Sequence, residues 1–159
     1  MPTKCHVMIV VGLPGSGKTS FLKDTFGERY STNCFDDFHS EACRDNSAFE
    51  YSRCFGALMQ RMQAGEKCAI SDVAFCEAER LKAAKVGLEK IAHNFGLQLE
   101  IEEVNFANDP NACRHNVIHR FGSEGVQNYI EELRMIDRFS NVYKCRDGSM
   151  PVKTCCKRL

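Results

Sequence analysis

Eight consecutive residues carry the strongest chemical signal in this chain. Gly12-Leu13-Pro14-Gly15-Ser16-Gly17-Lys18-Thr19 satisfies G-x-x-x-x-G-K-[ST] in full and follows the apolar run Val7-Met8-Ile9-Val10-Val11. Strand, loop and helix in that order are the context a phosphate cradle requires. Glycines let consecutive backbone N–H groups turn inward around phosphate oxygens, Lys18 has the reach for β- and γ-phosphates, and the Thr19 hydroxyl suits Mg²⁺. The contacting set on this reading is Gly12, Pro14, Gly15, Ser16, Gly17, Lys18, Thr19 and Ser20. A helix starting near Thr19 adds the positive end of its dipole.

In an open α/β sheet, ligands gather beyond the carboxyl ends of the strands. Asp36 and Asp37 close the second strand-like stretch, Asp72 closes the third, and a helix bearing Arg114 and Arg120 follows the fourth. Phosphoryl transfer needs such a set: a carboxylate for the metal, a base for a hydroxyl, and cations to neutralise transition-state charge. Asp72 ends its stretch as a Walker B carboxylate does, holding the Mg²⁺ shell, with turn capping as the structural alternative. Asp36 and Asp37 repel each other unless a metal, an arginine or a proton intervenes, and Asp36 reads as the general base. Arg114 and Arg120 are placed to close over the phosphates, but six positions separate them, so both reach the site only if the helix bends near Phe121-Gly122. Cys113, His115 and His119 offer part of a zinc set without a fourth ligand.

The elements that position these residues follow from periodicity. Apolar β-rich runs alternate with stretches of helical period, which argues for βαβ units around a parallel sheet of four to five strands. The spacing predicts strands over 5–11, 31–35, 67–71 and 97–106. It predicts helices over 18–26 and 47–64, a long one bearing Leu81, Ala84, Leu88, Ile91 and Phe95, one started by Asp109 and Pro110, and a last one bearing Val126, Tyr129, Ile130, Leu133 and Ile136. From about 140 periodicity is lost, and the tail is expected to be loosely held or to pack beside a nucleotide base.

With 159 residues the chain suits one domain over 1–159. Its 21 basic and 21 acidic residues balance, which removes any broad attraction toward nucleic acid or an anionic membrane. The ten cysteines come without a secretory leader or a membrane-length apolar run, so the expected setting is cytoplasmic and reducing, with most thiols buried as small apolar groups. No membrane and no obligatory protein partner is expected.

Taken together, the elements over 8–139 resemble the polynucleotide kinase branch of the P-loop kinases, which contains the phage 5′-hydroxyl polynucleotide kinase and related eukaryotic kinase domains. The residues that carry the likeness are the loop at 12–19, Phe35-Asp36-Asp37-Phe38, Ile70-Ser71-Asp72 with Glu79-Arg80 beyond it, and the arginine-bearing helix. The resemblance implies a three-layer α/β/α P-loop NTPase fold with an arginine-bearing lid helix. It further implies ATP (or GTP) and Mg²⁺ as nucleotide and metal, Asp36 as base, and Arg114 or Arg120 as lid arginine. Asp37 and His39 would face the acceptor. Two positions depart from the pattern: His39 stands where the family has an arginine that grips the substrate phosphate, and Ala74 where it often has asparagine. The acceptor hydroxyl therefore stays open between a nucleic-acid 5′ end and a small molecule. The alternative activity is an NTPase or nucleotide-dependent switch with water as acceptor.

Overall fold

The computed structural model describes residues 3–35, 55–121, 126–144 and 148–154. Asp36, Asp37 and His39 lie outside those residues, as does the first half of the helix expected over 47–64. The chain runs β1 (Lys4–Val11), α1 (Lys18–Phe26), α2 (Tyr30–Asn33), β2 (Cys34–Phe35), α3 (Phe55–Gln63), β3 (Cys68–Ser71), α4 (Ala78–Asn94), β4 (Gln98–Asn105), α5 (Pro110–Phe121) and α6 (Val126–Ser140).

Four strands pair in parallel in the order β2-β3-β1-β4. Val10 of β1 lies opposite Ser71 of β3, so the carboxyl ends of these two strands come out side by side. Side chains alternate across a strand, and β1 is buried on both faces for that reason. Val7, Ile9 and Val11 join Cys68 and Ile70 in a core with Leu58, Met62, Leu88, Val117 and Ile136. Met8 and Val10 join Ala69 on the other face, against Leu22 and Phe106. The result is three unequal layers: α1 covers one face of the sheet and α3 to α6 cover the other. A parallel sheet with the glycine-rich loop between its first strand and first helix is the P-loop NTPase architecture the sequence leads one to expect, with four strands among the described residues.

One local expectation is corrected. The strand read over 31–35 shrinks to Cys34–Phe35, because α1 stops at Gly27, whose φ is +58°, and helical backbone resumes at once through a tight turn at Gly27–Arg29 and on through α2. Asn33 holds that helical turn in place by donating its amide to the Lys67 carbonyl at 2.9 Å. The long helix after β3 begins at Ala78, so Glu79 and Arg80 stand at its head, and it follows a 3₁₀ turn over Val73–Cys76 that the Asp72 carboxylate caps. Asp109 caps α5 as read, accepting from the Ala112 amide at 3.1 Å.

The segment beyond Ser140 is neither helix nor loose end where it is described. Met150 forms a parallel bridge with Phe106, its amide donating to Asn105 and its carbonyl accepting from Ala107, each at 2.8 Å. Tyr143 is buried, and its hydroxyl donates to the Phe106 carbonyl.

Candidate phosphate-binding site

The loop owes its shape to glycines at two points. Gly15 has φ +82°, and a Cβ there would stand 2.5 Å from the Cys113 carbonyl oxygen and 2.9 Å from Val117 Cγ2. Gly17, at φ +106°, is the N-cap of α1, so the helix begins from a left-handed backbone that side chains resist. The Ser16 amide donates to Leu13 O at 3.1 Å, which closes the turn. Lys18 extends from the first turn of α1 back across the loop, its ammonium donating to Gly12 O at 2.7 Å and Leu13 O at 3.0 Å. A half-buried cation is thus held over the concave side of the cradle.

A cleft of about 480 Å³ opens over this loop, within the size range of small-molecule sites. From the cradle it is lined by Pro14, Gly15, Gly17, Lys18, Thr19 and Ser20, and from the end of β3 by Ser71, Asp72 and Val73. Asp72 is 5% exposed, and its Oδ1 accepts from the Ala74 amide at 2.8 Å. The capping role and the position beside the phosphate loop therefore coexist in one carboxylate. Thr19 from the first turn of α1 and Asp72 from the end of β3 bring a hydroxyl and a carboxylate to the cleft, donors whose chemistry suits Mg²⁺. Ser16 Oγ is buried without a hydrogen-bond partner, an unmet polar group within the cradle. These features fit a nucleotide phosphate with its metal.

The opposite wall comes from α5, α6 and the C-terminal segment. Cys113, Asn116, Val117 and Arg120 recur at helical spacing on one face of α5, and this face meets the loop. Cys113 and Val117 are fully buried against Gly15, Asn116 donates to Gly15 O at 2.9 Å, and Arg120 lines the cleft. The helix is docked into the core through these residues rather than standing off as a mobile flap. Burial pushes the Cys113 thiol up to about 11, against the pull of the Lys18 charge in the other direction.

The two arginines separate on this geometry. Arg120 lines the cleft with its guanidinium 2.6 Å from Glu132 of α6, a residue that also lines it. Arg114 is not among the lining residues; it reaches Asp137 of α6 at 2.8 Å and Asn111 at 2.9 Å. Their six-residue separation puts them on different faces, and the two pairs instead tie α5 to α6 as antiparallel neighbours. The bend near Phe121-Gly122 that would bring both inward falls at the border of the described residues. Among the described residues no group of three or more His, Cys, Asp or Glu side chains is placed to share a metal ion. Cys113 is committed to the core, while His115 and His119 stack on one another with ring centroids 5.9 Å apart.

Asn116, Glu132, Met135 and Lys153 line the cleft without having been singled out by sequence pattern. For Asn116 a signal was present: it shares a helical face with Cys113, Val117 and Arg120. Glu132, Met135 and Lys153 lie on elements whose approach to the loop no local pattern discloses.

No family model matches the chain, and no curated protein sequence matches it. Among solved structures it is similar to a gluconokinase from Sinorhizobium meliloti 1021, at 13% identity and a TM-score of 0.49, over 95% of this chain and 83% of that one. Among the described residues no helix is long and apolar enough to cross a membrane.

Proposed function

We propose that this chain is a P-loop kinase that moves the γ-phosphoryl group of ATP (or GTP) to a hydroxyl acceptor, in the manner of the polynucleotide kinases. The observation that carries the reading is the single cleft shared by Lys18 and Thr19 from the loop and Asp72 from the neighbouring strand end. Loop amides and the Lys18 ammonium bind the triphosphate, and Lys18 exchanges its loop carbonyls for phosphate oxygens when nucleotide enters. Thr19 and Asp72 would hold Mg²⁺, which when bound would supply positive charge to offset that of the phosphates. Arg120 takes the developing charge from the far wall once it leaves Glu132. Asp36 orients and deprotonates the acceptor hydroxyl, with Asp37 and His39 beside the acceptor; these three roles rest on the sequence pattern. A reducing cytoplasmic setting suits the thiols of Cys5, Cys34, Cys68, Cys76 and Cys113.

The test is γ-labelled ATP with Mg²⁺ against 5′-hydroxyl DNA, 5′-hydroxyl RNA, nucleosides, sugars and small-molecule antibiotics. Label on one acceptor class is the expected result. Asp36→Asn should lower that transfer by at least about 100-fold while nucleotide still binds, the usual scale of a general base. Equal phosphate release with and without every acceptor would favour the NTPase reading instead, and full activity of Asp36→Asn would remove Asp36 as the base.

A further inference from the structure

We propose that Asn116 is a positioning residue that holds the phosphate loop and the C-terminal segment 148–154 together as one nucleotide-binding unit. The proposal rests on the kinase reading for what is bound, and on the following geometry for how.

An asparagine amide has two N–H donors, and both are committed here. One reaches Gly15 O at 2.9 Å and the other Lys153 O at 2.8 Å, from a side chain on a residue only 8% exposed. The first bond acts on the peptide that joins Gly15 to Ser16, whose N–H donates to Leu13 O. That peptide is pinned at both ends, so the amides that follow it at Gly17, Lys18 and Thr19 start from a fixed point. Gly15 has no side chain to set its own backbone, and its positive φ makes an external anchor more important.

The second bond acts on a segment that is also held at Met150 and at Val152, which packs against the core. Residue 150 is bridged to Phe106, and Phe106 packs edge-on against Phe21 of α1 with ring centroids 6.0 Å apart. From there the segment runs to Lys153, which lines the cleft. Asn116 therefore ties the far end of the segment to the loop itself, and Lys153 is delivered to the anion site as a further cation. Loosening the amide should loosen loop and segment together, and nucleotide should tighten both.

The test uses the full chain. Asn116→Ala should weaken Mg-ATP binding by about tenfold, the effect of one charge-independent hydrogen bond lost from a preorganised site. In the same variant without nucleotide, amides over 150–154 should exchange hydrogen faster than in wild type. Lys153→Ala keeps the backbone carbonyl that Asn116 uses, so its exchange should match wild type while Mg-ATP binding weakens a few-fold and loses part of its salt dependence. Asn116→Ala with wild-type affinity, or with wild-type exchange over 150–154, would overturn the proposal. Should that variant not fold, the wild-type protein decides: Mg-ATP must slow exchange over 150–154 as well as in the loop, and protection of the loop alone would overturn it. A wild-type protein that binds no nucleotide sinks the kinase reading; the clamp is then judged by the ligand-free exchange comparison, faster exchange upholding it and unchanged exchange refuting it.

Discussion

The two walls of the cleft are built in opposite ways. The wall made by Pro14 to Ser20 is one unbroken stretch of chain, and its geometry follows from residue types at fixed spacing. The facing wall gathers Asn116, Arg120, Glu132, Met135 and Lys153 from two helices and the C-terminal segment. A contiguous motif carries its structure with it, because each glycine and the lysine act on neighbours in sequence. An assembled wall exists only once the helices have packed, so its chemistry depends on tertiary contacts that no short pattern encodes. On the proposed function, the first wall would meet what every nucleoside triphosphate shares, and the second would act on what differs.

Asp72 stands where the two constructions meet and gives the largest expected effect. Asp72→Asn keeps an oxygen for the Ala74 amide but loses the charge, so stability should hold while Mg²⁺-dependent transfer falls by about 100-fold. Asp72→Ala should show the same loss of transfer and also cost about 1 kcal/mol in denaturant unfolding, through the lost cap. Equal transfer by wild type and Asp72→Asn would reduce Asp72 to a capping residue and leave the contiguous wall without its metal partner.

The arginines sharpen the contrast on the assembled side. Arg120→Ala should lower transfer by about tenfold, the scale of one charged hydrogen bond. Arg114→Ala, whose guanidinium is engaged by Asp137 and Asn111, should stay within about twofold because its partners are exposed. A reversal of that order would mean that α5 turns to present its other face during the reaction.

The smallest effects concern the buried thiols behind the loop. Burial raises the Cys68 thiol to about 12 and the Cys113 thiol to about 11. At about pH 8 only about one Cys113 in a thousand is thiolate, so both should resist iodoacetamide in the folded protein. Because folded Cys113 titrates above its ordinary 9.0, its contribution to stability is intact below that value and is lost as pH rises through about 11. Rapid alkylation of Cys113 in the absence of denaturant would show that the contact between α5 and Gly15 opens readily.

How much of this was legible in the sequence follows the same division. The loop, α1 with its stop at Gly27, the Asp109 cap of α5 and the buried faces of β1 and α4 are local properties, and periodicity with capping chemistry disclosed them. Residues 31–35 misled because Thr32 and Phe35 favour strands, while Asn33 holds a helical turn through its bond to Lys67, far away in sequence. Arg114 and Arg120 were grouped by charge, whereas helical spacing alone separates them and places Asn116 with Arg120. Lys153 lay in an aperiodic tail whose position depends on the bridge at Met150, a contact with no sequence signature. Phe95, grouped with the buried face of α4, stands just past the last residue of the helix and is 49% exposed.

On the proposed function, residues 12–19 wrap a nucleoside triphosphate and Lys18 neutralises its outer phosphates. Titration of Mg-ATP into wild type and Lys18→Ala by calorimetry tests it most directly. Wild type should bind and the variant should lose at least about 100-fold in affinity, with both proteins folded. Equal affinity in the two would contradict it.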